Sequence, residues 1–145
     1  MVRFELDPFD IGDNRVRYKK FRGLFNEEKR ALIRIKTKTL DSLLVKKDLS
    51  KSFLWLNNQG SETESLLGSH KIIRKFNLPI MLEFCPYFFK INNDFEKFLL
   101  FVNDLNKKVY SLDENKFLGK CSRSLFMDLY KSLGERGDYI YLLLI

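Results

Sequence analysis

Apolar and polar residues alternate from Val2 to Leu6, and Asp7 with Pro8 ends the run, which predicts a short strand. Residues 10–26 are polar and basic with no clean period and read as a long loop. Residues 31–40 are rich in β-branched side chains. Ile33, Ile35, Thr37 and Thr39 alternate with basic residues there, the pattern of a strand with one solvated face. Asp41 is placed to cap a helical turn over 42–46. The chain thus divides into 1–30, mainly loop with one short strand, and 31–145, regular α/β, within a single domain.

From residue 52 the pattern is regular. An apolar run over 52–57 predicts a strand. A helix over 62–76 follows, with Leu66, Leu67, Ile72 and Ile73 as its buried stripe. Ser61 and Glu64 have capping-box spacing. Residues 79–84 form a continuous apolar run, typical of a strand covered on both faces. Asn93 and Glu96 offer another polar cap for a helix in which Phe95, Phe98, Leu99, Val102 and Leu105 recur at helical spacing. Residues 108–112 read as a strand. Ser122 opens a helix carrying Leu125, Phe126, Leu129 and Leu133, Gly134 stops it, and residues 138–145 close as a strand.

Strands alternating with helices predict an α/β layer fold, mostly parallel, with helices on the sheet faces. Residues 52–57 and 79–84 are expected as neighbouring parallel strands, because a helix of crossover length joins them.

A chain of 145 residues can bury one substantial core. Its apolar runs fall short of the ~20 residues that span a bilayer, and Met1 to Asp7 lacks the apolar stretch of a signal peptide. Two distant cysteines, Cys85 and Cys121, fit reduced thiols in a cytoplasmic setting better than a disulfide. They and the single His70 have no metal-ligand spacing, so no metal is expected. His70, between Ser69 and Lys71, reads as a surface residue rather than a general base. The net charge is +7, which admits nucleic acid, anionic lipid or a phosphorylated substrate as partner and selects none. The frequent Lys, Asn and Phe fit a coding-base bias equally well.

Candidate chemistry concentrates where the apolar run 52–56 ends in Asn57, Asn58, Gln59 and Gly60, just before a helix. Polar groups at the C-terminal end of a strand, beside a helix N-terminus, are how open α/β sheets build ligand sites. The bland alternative is that these residues only finish the strand and cap the helix. Glu83 closes the next strand, either as an acid lining a pocket or as a solvated strand end. Residues 14–22 interleave bases with aromatics, Arg15 and Arg17 among them. Such a segment suits phosphates and bases, but a solvated loop explains it more simply.

The stretch from Trp55 to Gly68 resembles the central motif of the FkbM family of S-adenosylmethionine-dependent methyltransferases, matching at Trp55, Gln59, Gly60, Glu62, Leu66 and Gly68. It departs at Asn57, where the family has Asp. Residues 36–44, 79–86 and 138–145 are similar to family segments in the same order, and 10–15 to a loop with Gly-Asp. The resemblance implies a Rossmann-like sheet with a C-terminal antiparallel strand, and methyl transfer to an oxygen of a sugar or small-molecule acceptor. By it, Asn57 and Glu62 fall at catalytic positions and Asn57, Gln59 and Gly60 at the cofactor edge. Glu83, Arg15 and Arg17 fall toward the acceptor, and a basic loop there would also suit an anionic glycan. Asparagine hydrogen-bonds but is no base at neutral pH.

No Gly-rich turn precedes Asn57, and Gly12 and Gly23 lie in a polar stretch. The chain therefore resembles the C-terminal part of such an enzyme, truncated or split, and inactive alone. The missing half would leave the edge of strand 52–57 open to a separate chain or a second copy, unless strands 2–6 and 33–39 cover it. The rival reading is a non-enzymatic binding module for nucleic acid or another anionic partner through 14–22.

Overall fold

The computed structural model describes residues 1–18 and 22–145. Two sheets organise them. The first contains β1 (Val2–Leu6), β2 (Arg15–Arg17) and β3 (Ala31–Ile35), in the order β2-β1-β3 and wholly antiparallel. A short α1 (Leu40–Leu43) follows. The second sheet is built from β4 (Leu54–Leu56), β5 (Ile80–Phe84), β6 (Lys108–Ser111), β7 (Lys116–Lys120) and β8 (Ile140–Leu144), in the order β4-β5-β8-β6-β7. Helices α2 (Glu62–Leu67) and α3 (His70–Phe76) connect β4 to β5. Then α4 (Pro86–Asn92) and α5 (Phe95–Asn103) lead to β6, and α6 (Arg123–Leu133) leads from β7 to β8.

The fold is mixed α/β, and β4 and β5 are parallel neighbours, with Trp55 opposite Met81. The expectation of a mostly parallel sheet is corrected: among the described residues β4–β5 is the one parallel ladder, and β8, antiparallel as expected of the closing strand, lies between β5 and β6. β7, absent from the periodicity, turns back on β6 as a hairpin whose corner includes Asn115 at positive φ. Since β8 opposes both β5 and β6, strands β4, β5 and β6 run in one direction.

The predicted helix over 62–76 is two helices. The Gly68 N–H returns to the Glu64 carbonyl and ends α2. The Asp41 carboxylate then accepts the Lys71 and Ile72 N–H groups at 3.1 and 3.0 Å. Asp41 thus caps α3, thirty residues on, while Thr39 caps its own α1. Ser61 makes no capping hydrogen bond, and Asn93 ends α4 in the left-handed region instead of opening α5. Helix α4 was invisible to periodicity because Tyr87, Phe88 and Phe89 are all buried, leaving no polar face to set a period. Pro86 starts it at the position where a missing N–H costs nothing.

The core lies between the larger sheet and its helices. Phe84 is its centre, with Phe89, Phe98 and Phe126 at 5.1–5.7 Å between ring centroids. This spacing favours tilted and edge-to-face contacts. Ser122 and Gly134 bound α6 as the sequence predicts, the Ser122 hydroxyl accepting the Leu125 N–H. Among the described residues, no helix is long and apolar enough to cross a membrane.

Residues 10–17 are not a plain loop. They form a 3-10 turn (Ile11–Asp13) and β2. Arg15 and Arg17 are buried, at 4% and 8% exposure, in an ion network with Glu5, Glu27, Asp13 and Arg30. Glu5, Arg15 and Arg17 on this face of the small sheet are thus turned inward, while Arg3 and Arg34 on the same face are exposed. Arg15 also lies over the rings of Phe25 and Phe88, 5.3 and 5.2 Å from their centroids. The Tyr87 hydroxyl donates to Glu27 at 3.2 Å, tying the network to α4. Neither β1 nor β3 pairs with β4.

Candidate functional site

The parallel pair carries Asn57, Gln59 and Glu83 at or beyond its C-terminal end, as the sequence reading places them. The Asn57 side-chain amide donates to the Tyr141 hydroxyl at 3.3 Å, and Gln59 donates to the Asn57 side-chain carbonyl at 3.0 Å. Tyr141 lies directly across the ladder from Glu83. Its own N–H donates to Asp113 at 2.7 Å, which anchors the turn after β6 against β8. The structure therefore joins Asn57, Gln59 and Glu83 through Tyr141, a residue the sequence did not single out. Its only signal was alternation along the last strand, where Tyr139 and Tyr141 share a face.

Glu83 is 6% exposed, and burial raises its pKa. The Tyr141 hydroxyl opposes that rise by hydrogen bonding to the charged form, while the charge of Asp13 adds to it.

Glu62 faces inward from the first turn of α2. Its two oxygens accept the Asn58 N–H at 2.6 Å and the Gly60 N–H at 2.9 Å. The side chain is 5% exposed. Burial pushes its pKa up to about 7, against the pull of these N–H donors, and the charge of Glu83 adds to the rise. Glu62 thereby holds the strand-to-helix loop in shape from below, through bonds to its own loop.

Gly60 does not form a cradle for a ligand. It has φ +96, and a Cβ built on it would stand 2.9 Å from the Phe88 ring. The close approach that only glycine allows is filled by α4. The Asn92 side chain donates to the Gly60 carbonyl at 2.6 Å and closes the same contact. With Gln59 turned onto Asn57, the residues expected at the cofactor edge do not fit S-adenosylmethionine as a cradle.

Arg15 and Arg17, expected toward the acceptor, are tied to Glu5 and Glu27 in the ion network. Of the basic segment 14–22, Lys19, Lys20 and Phe21 lie outside the described residues. Cys85 and Cys121 are free thiols, both pushed up to about 11 by burial. Among the described residues, no group of three His, Cys, Asp or Glu side chains is arranged to hold a metal ion.

Comparison with protein-family models, with characterised proteins and with solved structures finds no match for this chain.

Proposed function

We propose that this chain is a segment of an FkbM-type methyltransferase that carries the acceptor-facing part of the sheet and does not, by itself, carry the methyl-donor site. The observation that carries the reading is the gathering of Asn57, Gln59, Glu83 and Tyr141 where the parallel strands β4 and β5 end. The order of matched segments along the chain supports it. So does the sheet, in which the last strand runs reversed between β5 and β6. S-adenosylmethionine, where bound, would supply an activated methyl group, and residues outside this chain would have to cradle it.

The chain's own residues recognise a hydroxyl-bearing small molecule, such as a sugar. Asn57 and Gln59 offer an amide donor and acceptor pair, and Tyr141 a hydroxyl that does both. Glu83, whose pKa burial raises, accepts a hydroxyl proton or holds it in a hydrogen bond. Glu83 and Asp113 place carboxyl groups at this end of the sheet despite the net charge of +7. A phosphorylated or otherwise anionic acceptor is therefore disfavoured, and a neutral polyol is favoured. Arg15 and Arg17 act by fixing the small sheet against α4. This also takes two arginines from the rival reading of 14–22 as a nucleic-acid grip.

The test is an amide NMR titration with a neutral monosaccharide, a sugar phosphate and S-adenosylmethionine, each added alone. Shifts at Asn57, Gln59, Glu83 and Tyr141 with the neutral sugar support the reading. The same shifts only with the sugar phosphate, or tight binding of S-adenosylmethionine at Gly60, contradict it.

A further inference from the structure

The second feature of this fold that can take a ligand is a groove on the other side of β4. β4 is an edge strand, and among the described residues no strand pairs with its free side. Leu54 donates its N–H to the Pro79 carbonyl, toward β5. By the alternation of a parallel ladder, the Trp55 N–H and C=O then point outward, to the free edge. A cavity of about 710 Å³ runs along this edge, lined by Leu54, Trp55, Leu56 and Leu40 and faced by Val2 and Val16 of the small sheet. Tyr18 closes one side, its hydroxyl donating to Ser61 at 3.2 Å. Trp55, the only tryptophan of the chain, is 61% exposed there.

At the end of the small sheet the groove meets a basic face, since Arg3 and Arg17 alternate with Val2 and Val16 along their strands and Arg34 lies opposite Arg3. A second cavity of about 530 Å³ shares Val2, Val16 and Tyr18 with the first and is lined further by Arg3, Arg17 and Arg34. Strand register sets these three arginines side by side across the sheet, Arg3 opposite both Arg17 and Arg34. Arg17 is neutralised by Glu5. Arg3 and Arg34 are exposed and form no ion pair among the described residues, and Lys38 adds a third positive charge along the lining. The one acid of the lining, Glu64, pairs with Lys97 at 3.6 Å. Like charges directly opposite in a sheet destabilise it, so Arg3 and Arg34 stand to gain from an anionic partner.

We propose that this groove binds an extended segment of another polypeptide, apolar along its length and acidic at one end. The segment adds a strand to the free edge of β4 and puts its acidic end on Arg3 and Arg34. Backbone hydrogen bonds to Trp55 give the pairing, the apolar walls take alternate side chains, and the arginines fix the direction. An acidic partner is favoured over a second copy of this chain, because each copy carries +7. The proposal is independent of the methyl-transfer reading, because it involves neither Asn57 nor Glu83.

Trp55 reports the binding directly. The probe is a synthetic peptide of alternating valine and threonine ending in three aspartates, titrated into the full chain while Trp55 emission is followed. A blue shift that saturates is expected, with affinity at least ~10-fold weaker for the Arg3→Glu/Arg34→Glu protein and reduced by added salt. Circular dichroism of that double variant, at two exposed positions, checks that it folds. A peptide ending in three lysines, and an acidic peptide with a central proline, should leave the emission unchanged. Equal binding of either control overturns the proposal, because charge or strand pairing is then irrelevant. So does a concentration-dependent dimer in light scattering that buries Trp55 without peptide, or a shift produced by an oligonucleotide and not by the acidic peptide.

Discussion

The side-chain amide of Asn57 donates to the hydroxyl of Tyr141 across 3.3 Å, joining the end of β4 to β8. Because Tyr141 also faces Glu83 on β5, one phenol links three strands at the end of the sheet where acceptor chemistry is proposed. Tyr141→Phe removes the hydrogen bond that favours the charged form of Glu83, so the Glu83 pKa should rise further. Carbon-detected NMR titration of the Glu83 carboxyl reads this. An unchanged titration would show that the hydroxyl does not serve Glu83. Stability should change by no more than ~1 kcal/mol, since the Asn57–Tyr141 bond is solvent-exposed.

Glu62 makes stability depend on pH. Its folded pKa, raised to about 7, exceeds the ordinary carboxyl value of 4.5, so the folded state prefers the protonated form. The group's contribution is fully present below the ordinary value and is lost as pH rises toward 7. Asp94, raised to about 6 by burial, acts with the same sign from its ordinary 3.8. Stability measured by urea unfolding should therefore fall between pH 4 and 7, by up to ~3 kcal/mol from Glu62 alone. Glu62→Gln should flatten that fall while weakening one of the two bonds to Asn58 and Gly60. A slope identical in the variant would contradict the burial of a titrating Glu62.

Gly60→Ala combines a φ of +96 with a Cβ 2.9 Å from the Phe88 ring. A loss of roughly 2–4 kcal/mol is expected, part strain and part clash. Adding Phe88→Leu should restore the clash portion only. Full restoration would mean that the backbone tolerates the side chain, and no restoration would mean that strain accounts for the whole cost.

Glu27 is fully buried and holds Arg15 at 3.0 Å, the Tyr87 hydroxyl and the Phe25 N–H. Glu27→Ala leaves Arg15 with a buried charge short of a partner and should cost about 3–5 kcal/mol in denaturant unfolding. Leu100→Ala, on the exposed side of α5, should stay within ~0.5 kcal/mol. Equal effects of the two would show that the ion network carries no net stability.

The sequence made legible whatever depends on local pattern. The apolar runs of β4 and β5, their parallel pairing through a connecting helix, and the Ser122 and Gly134 ends of α6 are local statements, and the structure has them. Neighbour order is not local: nothing in residues 138–145 says that β8 inserts between β5 and β6 and breaks the parallel sheet. Asp41 caps a helix thirty residues away, so its position in sequence pointed at the wrong helix. Arg15 and Arg17 read as solvated because their partners, Glu5 and Glu27, lie ten or more residues distant. Asn57, Gln59 and Glu83 were legible as strand-end polar residues. Tyr141 was not, since a tyrosine in an apolar strand reads as packing until its cross-strand neighbour is known.

The most direct test of the acceptor-side account is the amide NMR titration of the full chain with a neutral monosaccharide, with the sugar phosphate as its control. The account predicts shifts clustered at Asn57, Gln59, Glu83 and Tyr141 with the neutral sugar, and their loss in Glu83→Gln. Shifts confined to the phosphate, or unaltered in Glu83→Gln, would contradict it.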